Sequence, residues 1–132
     1  MATPDQELTE LVRRTIDAFN QGDFGAAVAL AHPEVVFARL GGLPDLQGIE
    51  ALRAWMEPDA FESQLTQIGR METVANRVLV EQHTVARGAG SGIEMSVDSW
   101  GVWTFDEAGK IARVQFFLRH EEDEARRALS GD

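Results

Sequence analysis

The sequence predicts an α+β domain in which helices lie on one face of a curved, mostly antiparallel sheet. Three observations predict it. The first half of the chain carries apolar residues at 3–4 spacing, the period of buried helix stripes. From Gln64 onward the pattern changes to strand-like runs separated by short, turn-rich gaps, for which antiparallel hairpins are the natural connection. Within that second half, Ser99–His120 (SWGVWTFDEAGKIARVQFFLRH) forms two aromatic-rich strands about the turn Asp106-Glu107-Ala108-Gly109. Helices first and strands afterwards place helices on one face of a sheet, with a pocket between the layers.

Taken in order, Thr3-Pro4-Asp5-Gln6 is a helix start: Thr3 as N-cap, Pro4 at the first helical position and Gln6 completing a capping box. Leu8, Leu11, Val12, Ile16 and Phe19 form the buried stripe, and Asn20-Gln21-Gly22 ends the helix. Asp23 caps a second, short helix carrying Phe24, Ala27, Val28 and Leu30. His32-Pro33 stops it, because the residue before proline avoids the helical region. Val35–Leu40 is a short strand and Gly41–Pro44 a loop. A third helix runs from Ile49 to Glu57 with Leu52, Trp55 and Met56 on its apolar side and Pro58 after it; residues 59–63 carry no pattern. Four strands follow, Gln64–Thr73, Val78–Arg87, Ile93–Phe105 and Lys110–Arg119. Glu121–Leu129 closes the chain as a helix with Glu122/Arg126 and Asp123/Arg127 as i,i+4 pairs.

Composition bounds what such a domain does. At 132 residues it is one domain, residues 1–132, large enough to bury a core without staples. There are no cysteines, which excludes disulfides, zinc–thiolate sites and thiol nucleophiles. Twelve basic against 22 acidic residues give a net charge of -10, a field that repels nucleic acid and anionic membranes. The polar, acidic start is unlike a secretory signal, and no apolar run approaches the ~18 residues that span a bilayer, so a cytoplasmic protein is expected. No His-x-His or His-Glu-x-x-His spacing points to a metal, and the acidic run Glu121–Glu124 fans out on its helix. No glycine-rich loop precedes a helix to hold phosphate. Neither metal nor cofactor is expected.

Several strings, in order, resemble the NTF2-like superfamily and in particular its SnoaL-like (polyketide cyclase and ketosteroid isomerase-related) branch. They are Ala18-Phe19-Asn20-Gln21-Gly22-Asp23, Ala31-His32-Pro33-Glu34-Val35, Gln47-Gly48-Ile49-Glu50-Ala51-Leu52, Gly90-Ser91-Gly92-Ile93-Glu94, Val102-Trp103-Thr104-Phe105 through Gly109-Lys110-Ile111, and Glu122-Asp123-Glu124-Ala125. The resemblance implies a cone: a strongly bent, antiparallel-rich sheet whose concave face is covered by three N-terminal helices, with a small-molecule pocket between them. Aligning Asn76 and Gly109 with the turns of isomerase-like relatives sets the strand phase. Gln82, Thr84, Ala86, Ser99, Gly101, Trp103, Phe105, Val114, Phe116 and Leu118 then point inward, joined by Phe19, Trp55 and Arg39. A bulge within Ile93–Phe105 would flip part of this phase.

The same alignment tests the family's chemistries. The isomerase pattern needs a carboxylate base, a tyrosine and a protonated aspartic acid, at positions that hold Arg39, Thr15 and Gly101. The epoxide hydrolase pattern meets Gln82, Thr84 and Phe116. Phe116 also stands where the cyclases carry a last-strand carboxylate. The remaining acid–base candidates are His83 and Asp98, which face each other if the Gly88–Gly92 turn is centred. An imidazole held by a carboxylate is a general base near neutral pH, but the strand phase puts both on the outer face, where they form a surface or interface ion pair. That face also gathers Leu79, Val85, Trp100, Val102, Ile111 and Phe117, an apolar patch that predicts a homodimer through the sheet.

The expected function is therefore binding of an apolar small molecule in the cone, by Phe19, Arg39, Trp55, Gln82, Thr84, Ser99, Trp103, Phe116 and Leu118. Two outcomes stand: a cofactor-independent cyclase or isomerase, or a non-catalytic ligand-binding or dimerisation module.

Overall fold

A computed structural model describes residues 3–39, 42–56 and 61–131. The capping box forms as expected: the Gln6 amide donates to the Thr3 hydroxyl at 3.1 Å and the Thr3 amide to the Gln6 side chain at 2.9 Å. It starts α1 (Pro4–Asn20), which buries Val12, Thr15 and Ile16. Asp23 caps α2 (Phe24–Ala29) by accepting from the Ala26 amide at 3.1 Å. The helix ends before His32-Pro33, and β1 (Ala31–Ala38) starts there, four residues upstream of the expected Val35. Pro33 is tolerated because the β1 ladder is irregular between Ala31 and Val36, so its missing N–H leaves no pairing broken. β2 (Leu46–Gln47), two residues without any sequence pattern, pairs with Val36 and Phe37. Next come α3 (Ile49–Met56), β3 (Phe61–Val74), β4 (Arg77–Gly88), β5 (Glu94–Phe105) and β6 (Ile111–Leu118), then a single 3-10 turn and α4 (Glu122–Ser130). The expected strand end at Leu40, Gly41 of the loop, the helix end Glu57 with Pro58, and residues 59–60 of the connection lie outside the described residues.

The six strands form one sheet in the order β2-β1-β6-β5-β4-β3, antiparallel except between β1 and β6. The β4–β5 ladder runs without a shift from Arg77 opposite Thr104 to Arg87 opposite Glu94, so the expected phase survives along β5. Irregularities fall elsewhere, between Ile68 and Met71 on β3 and between Thr104 and Phe105 where β5 meets β6. The second of these corrects one assignment: Ile111, expected on the outer face, pairs with Phe105 and is buried in the inner core beside Val78, Val80, Trp103 and Val114.

The outer face is also covered differently from expectation. Leu79, Trp100 and Val102 are buried under Ala125 and Leu129 of α4, with Phe117 alongside. The chain's own last helix thus covers Leu79, Trp100 and Val102 of the patch that argued for a second copy, while Val85 of that patch is half-buried outside this cluster. Arg126 fastens α4, donating to Glu122 at 2.8 Å and to Glu72 of β3 at 2.7 Å; these two hydrogen bonds raise its pKa further above the ordinary arginine value. No helix among the described residues is long and apolar enough to cross a membrane.

Candidate functional site: an apolar cavity in the cone

Between α1, α3 and the concave sheet face lies a cavity of ≈ 530 Å³, within the ~300–1,000 Å³ range of small-molecule sites. Strand alternation builds its wall. Even-numbered residues of β4 (Gln82, Thr84, Ala86) and odd-numbered residues of β5 (Met95, Val97, Ser99, Trp103) share one face because they are cross-strand neighbours. Phe116 continues the wall from β6, and Gln64 and Thr66 from β3. Ile16 and Phe19 of α1 and Trp55 and Met56 of α3 form the helical side. Phe37 stands between Trp55 and Phe116, its ring centroid 4.8 Å from one and 4.7 Å from the other, so three rings from three elements make one aromatic wall. The rim is apolar too: Leu43, Trp55, Met95 and Val97 are exposed and line the opening.

Two features hold the helical side in place. Asn20, at the end of α1, donates to the Thr66 carbonyl at 2.9 Å and accepts from the Thr66 amide at 2.8 Å, standing in for a strand neighbour. Arg39 donates from Nε to the Pro44 carbonyl at 2.9 Å, tying the loop that carries Leu43 to the end of β1.

Of the residues expected in the pocket, Phe19, Arg39, Trp55, Gln82, Thr84, Ser99, Trp103 and Phe116 line the cavity. Leu118 does not. β6 ends at this residue, its amide donates to Glu121 Oε1 at 2.8 Å, and the chain turns away into the 3-10 segment. Phe105 and Val114 point inward but lie in the solid core. Met95 and Val97 were within reach of sequence reasoning, since they continue the parity of Ser99 and Trp103. Phe37 likewise shares the parity of Arg39 on the first strand, whereas Leu43, on a loop, offered no such signal.

The register does set His83 opposite Asp98, with Nδ1 2.7 Å from Oδ1. The pair lies on the outer face, 41% and 54% exposed, away from the cavity. Inside, Arg39 is the one ionisable side chain among the described lining residues. None of the three positions tested for isomerase chemistry carries an acid: that arginine holds the place of the base, Thr15 lines the cavity with its hydroxyl donating to the Leu11 carbonyl at 2.9 Å, and Gly101 has no side chain. Among the described residues, no group of three or more His, Cys, Asp and Glu is placed to hold a metal. What the cavity offers is shape, aromatic surface and a few neutral polar groups. Thr66 and Thr84 hydrogen-bond each other through their hydroxyls at 2.9 Å, while Gln82 Oε1 and Trp103 Nε1 are buried without a partner.

Comparison with known proteins matches residues 12–114 to the model of the SnoaL-like domain. No curated protein matches the sequence. Solved structures share the fold across most of both chains. The epoxide hydrolase/cyclase-like enzyme SalBIII, of pyran ring formation in the polyether salinomycin, superposes with a TM-score of 0.79 at 18% identity, covering 87% of this chain and 92% of its own. An NTF2-like protein of unknown function from Burkholderia pseudomallei k96243 gives 0.75 at 16% identity, covering 96% and 98%. A Mycobacterium tuberculosis protein crystallised with estradiol-17β-hemisuccinate gives 0.75 at 13% identity, covering 86% and 94%. At these identities the likeness is one of fold.

Proposed function

Since this chain belongs to the SnoaL-like domain family, we propose that its cone cavity binds an apolar, ring-bearing small molecule. The observation that carries the reading is the cavity itself: ≈ 530 Å³, walled by Phe37, Trp55, Trp103 and Phe116, and open at an apolar rim. Water in such a space makes few hydrogen bonds, so an apolar ligand that displaces it gains both hydration and dispersion energy. Support also comes from the steroid derivative in one structural neighbour and from the ring-forming role of another. The reading needs no second copy of the chain, because the residues that line the cavity all come from one chain.

A second reading, cyclisation or isomerisation of the bound ligand, is favoured by the ring-forming neighbour. With no carboxylate or histidine among the described lining residues, that chemistry would run on orientation, which alone contributes several kcal/mol to a ring closure, and needs no cofactor.

Titration with the apolar fluorophore N-phenylnaphthylamine tests binding. Saturable emission enhancement with quenching of tryptophan fluorescence is expected, with an affinity flat between about pH 5 and 8, since neither a histidine nor a carboxylate among those lining residues titrates against this neutral probe. A non-saturating response in the folded protein would count against the reading.

A further inference from the structure

Two residues that line the cavity, Gln82 and Trp103, each carry a buried polar atom without a hydrogen-bond partner, Oε1 and Nε1, on side chains only 6% and 4% exposed. Both converge on Gly101. A Cβ at that position would lie 2.5 Å from Gln82 Oε1 and 3.0 Å from Trp103 Nε1. One atom accepts a hydrogen bond and the other donates. Buried polar groups are nearly always satisfied, and leaving one unpaired is unfavourable. Two such atoms around one glycine, one of each polarity and not hydrogen-bonded to each other, form the complement of a single group that both donates and accepts.

We propose that this acceptor–donor pair recognises a neutral hydroxyl on the ligand, and that Gly101 determines specificity by leaving room for the Gln82 carboxamide above it. The inference rests on the cavity being the ligand site and adds the chemistry of the ligand's buried end. A hydroxyl donates to Gln82 Oε1 and accepts from the Trp103 indole N–H at once. A ketone engages the indole alone and leaves the amide oxygen unpaired. A carboxylate sets two negative oxygens against that amide oxygen. Neither protein atom is accessible to solvent, so the proposal requires the carboxamide to turn about its terminal torsion, which has a broad, soft profile, opening both its own oxygen and the indole N–H to the ligand.

The test compares naphthol with naphthalene by calorimetry or by displacement of N-phenylnaphthylamine. In a purely apolar cavity naphthalene binds better, because the naphthol hydroxyl loses its hydration without return. The proposal reverses that order: naphthol is expected to bind about tenfold tighter. Gln82→Leu and Trp103→Phe each remove one partner and are expected to bring the naphthol-to-naphthalene affinity ratio to one or below, whatever each does to naphthalene binding itself, since both side chains line the cavity. Gly101→Ala, whose methyl group displaces the carboxamide, is expected to do the same. Because core variants can misfold, the wild-type protein carries an independent readout. The Trp103 indole N–H resonance should move downfield with naphthol and much less with naphthalene. Tight naphthalene binding with no naphthol preference overturns the hydroxyl site and leaves the cavity reading standing. If neither probe binds the folded protein, both fall.

Discussion

Trp100→Ala is expected to lower the unfolding free energy by about 3–5 kcal/mol, the range for emptying a large aromatic site. Trp100 is 2% exposed and lies between the outer sheet face and α4, packed with Leu79, Val102, Ala125 and Leu129. Its indole N–H donates to the Arg119 carbonyl at 3.1 Å, and the Arg119 guanidinium sits 5.5 Å from the ring centroid. The substitution therefore opens a void, leaves the Arg119 carbonyl unpaired and loosens the turn that delivers α4. Trp100→Phe keeps most of the packing and is expected to cost less, about 1–2 kcal/mol. Urea denaturation followed by circular dichroism measures both. Because Trp100 faces away from the cavity, the folded fraction of either variant should bind N-phenylnaphthylamine as wild type does. A loss of affinity in folded Trp100→Phe would mean that the two faces of the sheet are coupled.

Ala86→Trp is expected to do the opposite: leave stability within about 1 kcal/mol and reduce probe affinity at least about tenfold. Ala86 is half-buried on the cavity wall of β4, between Gln64 of β3 and Met95 of β5, where a large side chain can extend into the open mouth without displacing packed core. The added indole occupies volume that the ligand needs, and no protein side chain fills that space in the wild type. Fluorescence titration beside a urea curve separates the two effects. An Ala86→Trp variant that binds as tightly as wild type would place the probe outside the cone.

These two variants act on opposite faces of one sheet, and that two-faced arrangement was largely legible in the sequence. Alternation along Val78–Arg87 and Ile93–Phe105, together with short hairpin turns, specifies which residues share a face, and the unbroken β4–β5 ladder preserves that parity. Gln82, Thr84, Ser99 and Trp103 line the cavity for this reason; Phe19, Arg39, Trp55 and Phe116 reach it from other elements, and Leu118, expected there too, does not line it. Three things had no local signal. The irregularity at Thr104–Phe105 reverses Ile111, because a single extra residue exchanges the faces of a strand. The two-residue β2 is too short to carry a period. The docking of α4 over Leu79, Trp100 and Val102 is a tertiary choice: an apolar patch in a sequence says that something covers it, and a second chain and a local helix satisfy it equally. Gly101 shows a further limit. From the sequence it is a missing acid; in the structure it is the space that brings Gln82 and Trp103 together, which depends on register and rotamers at once.

Whether the cone cavity is a ligand site is decided by a crystal structure of the chain grown with naphthol. Ring density is expected inside the cone against the wall of Trp55, Phe37 and Phe116, with the hydroxyl directed at Gln82 and Trp103. A fully occupied probe bound elsewhere on the protein, with the cone filled by ordered water, would show that the cavity is not the site.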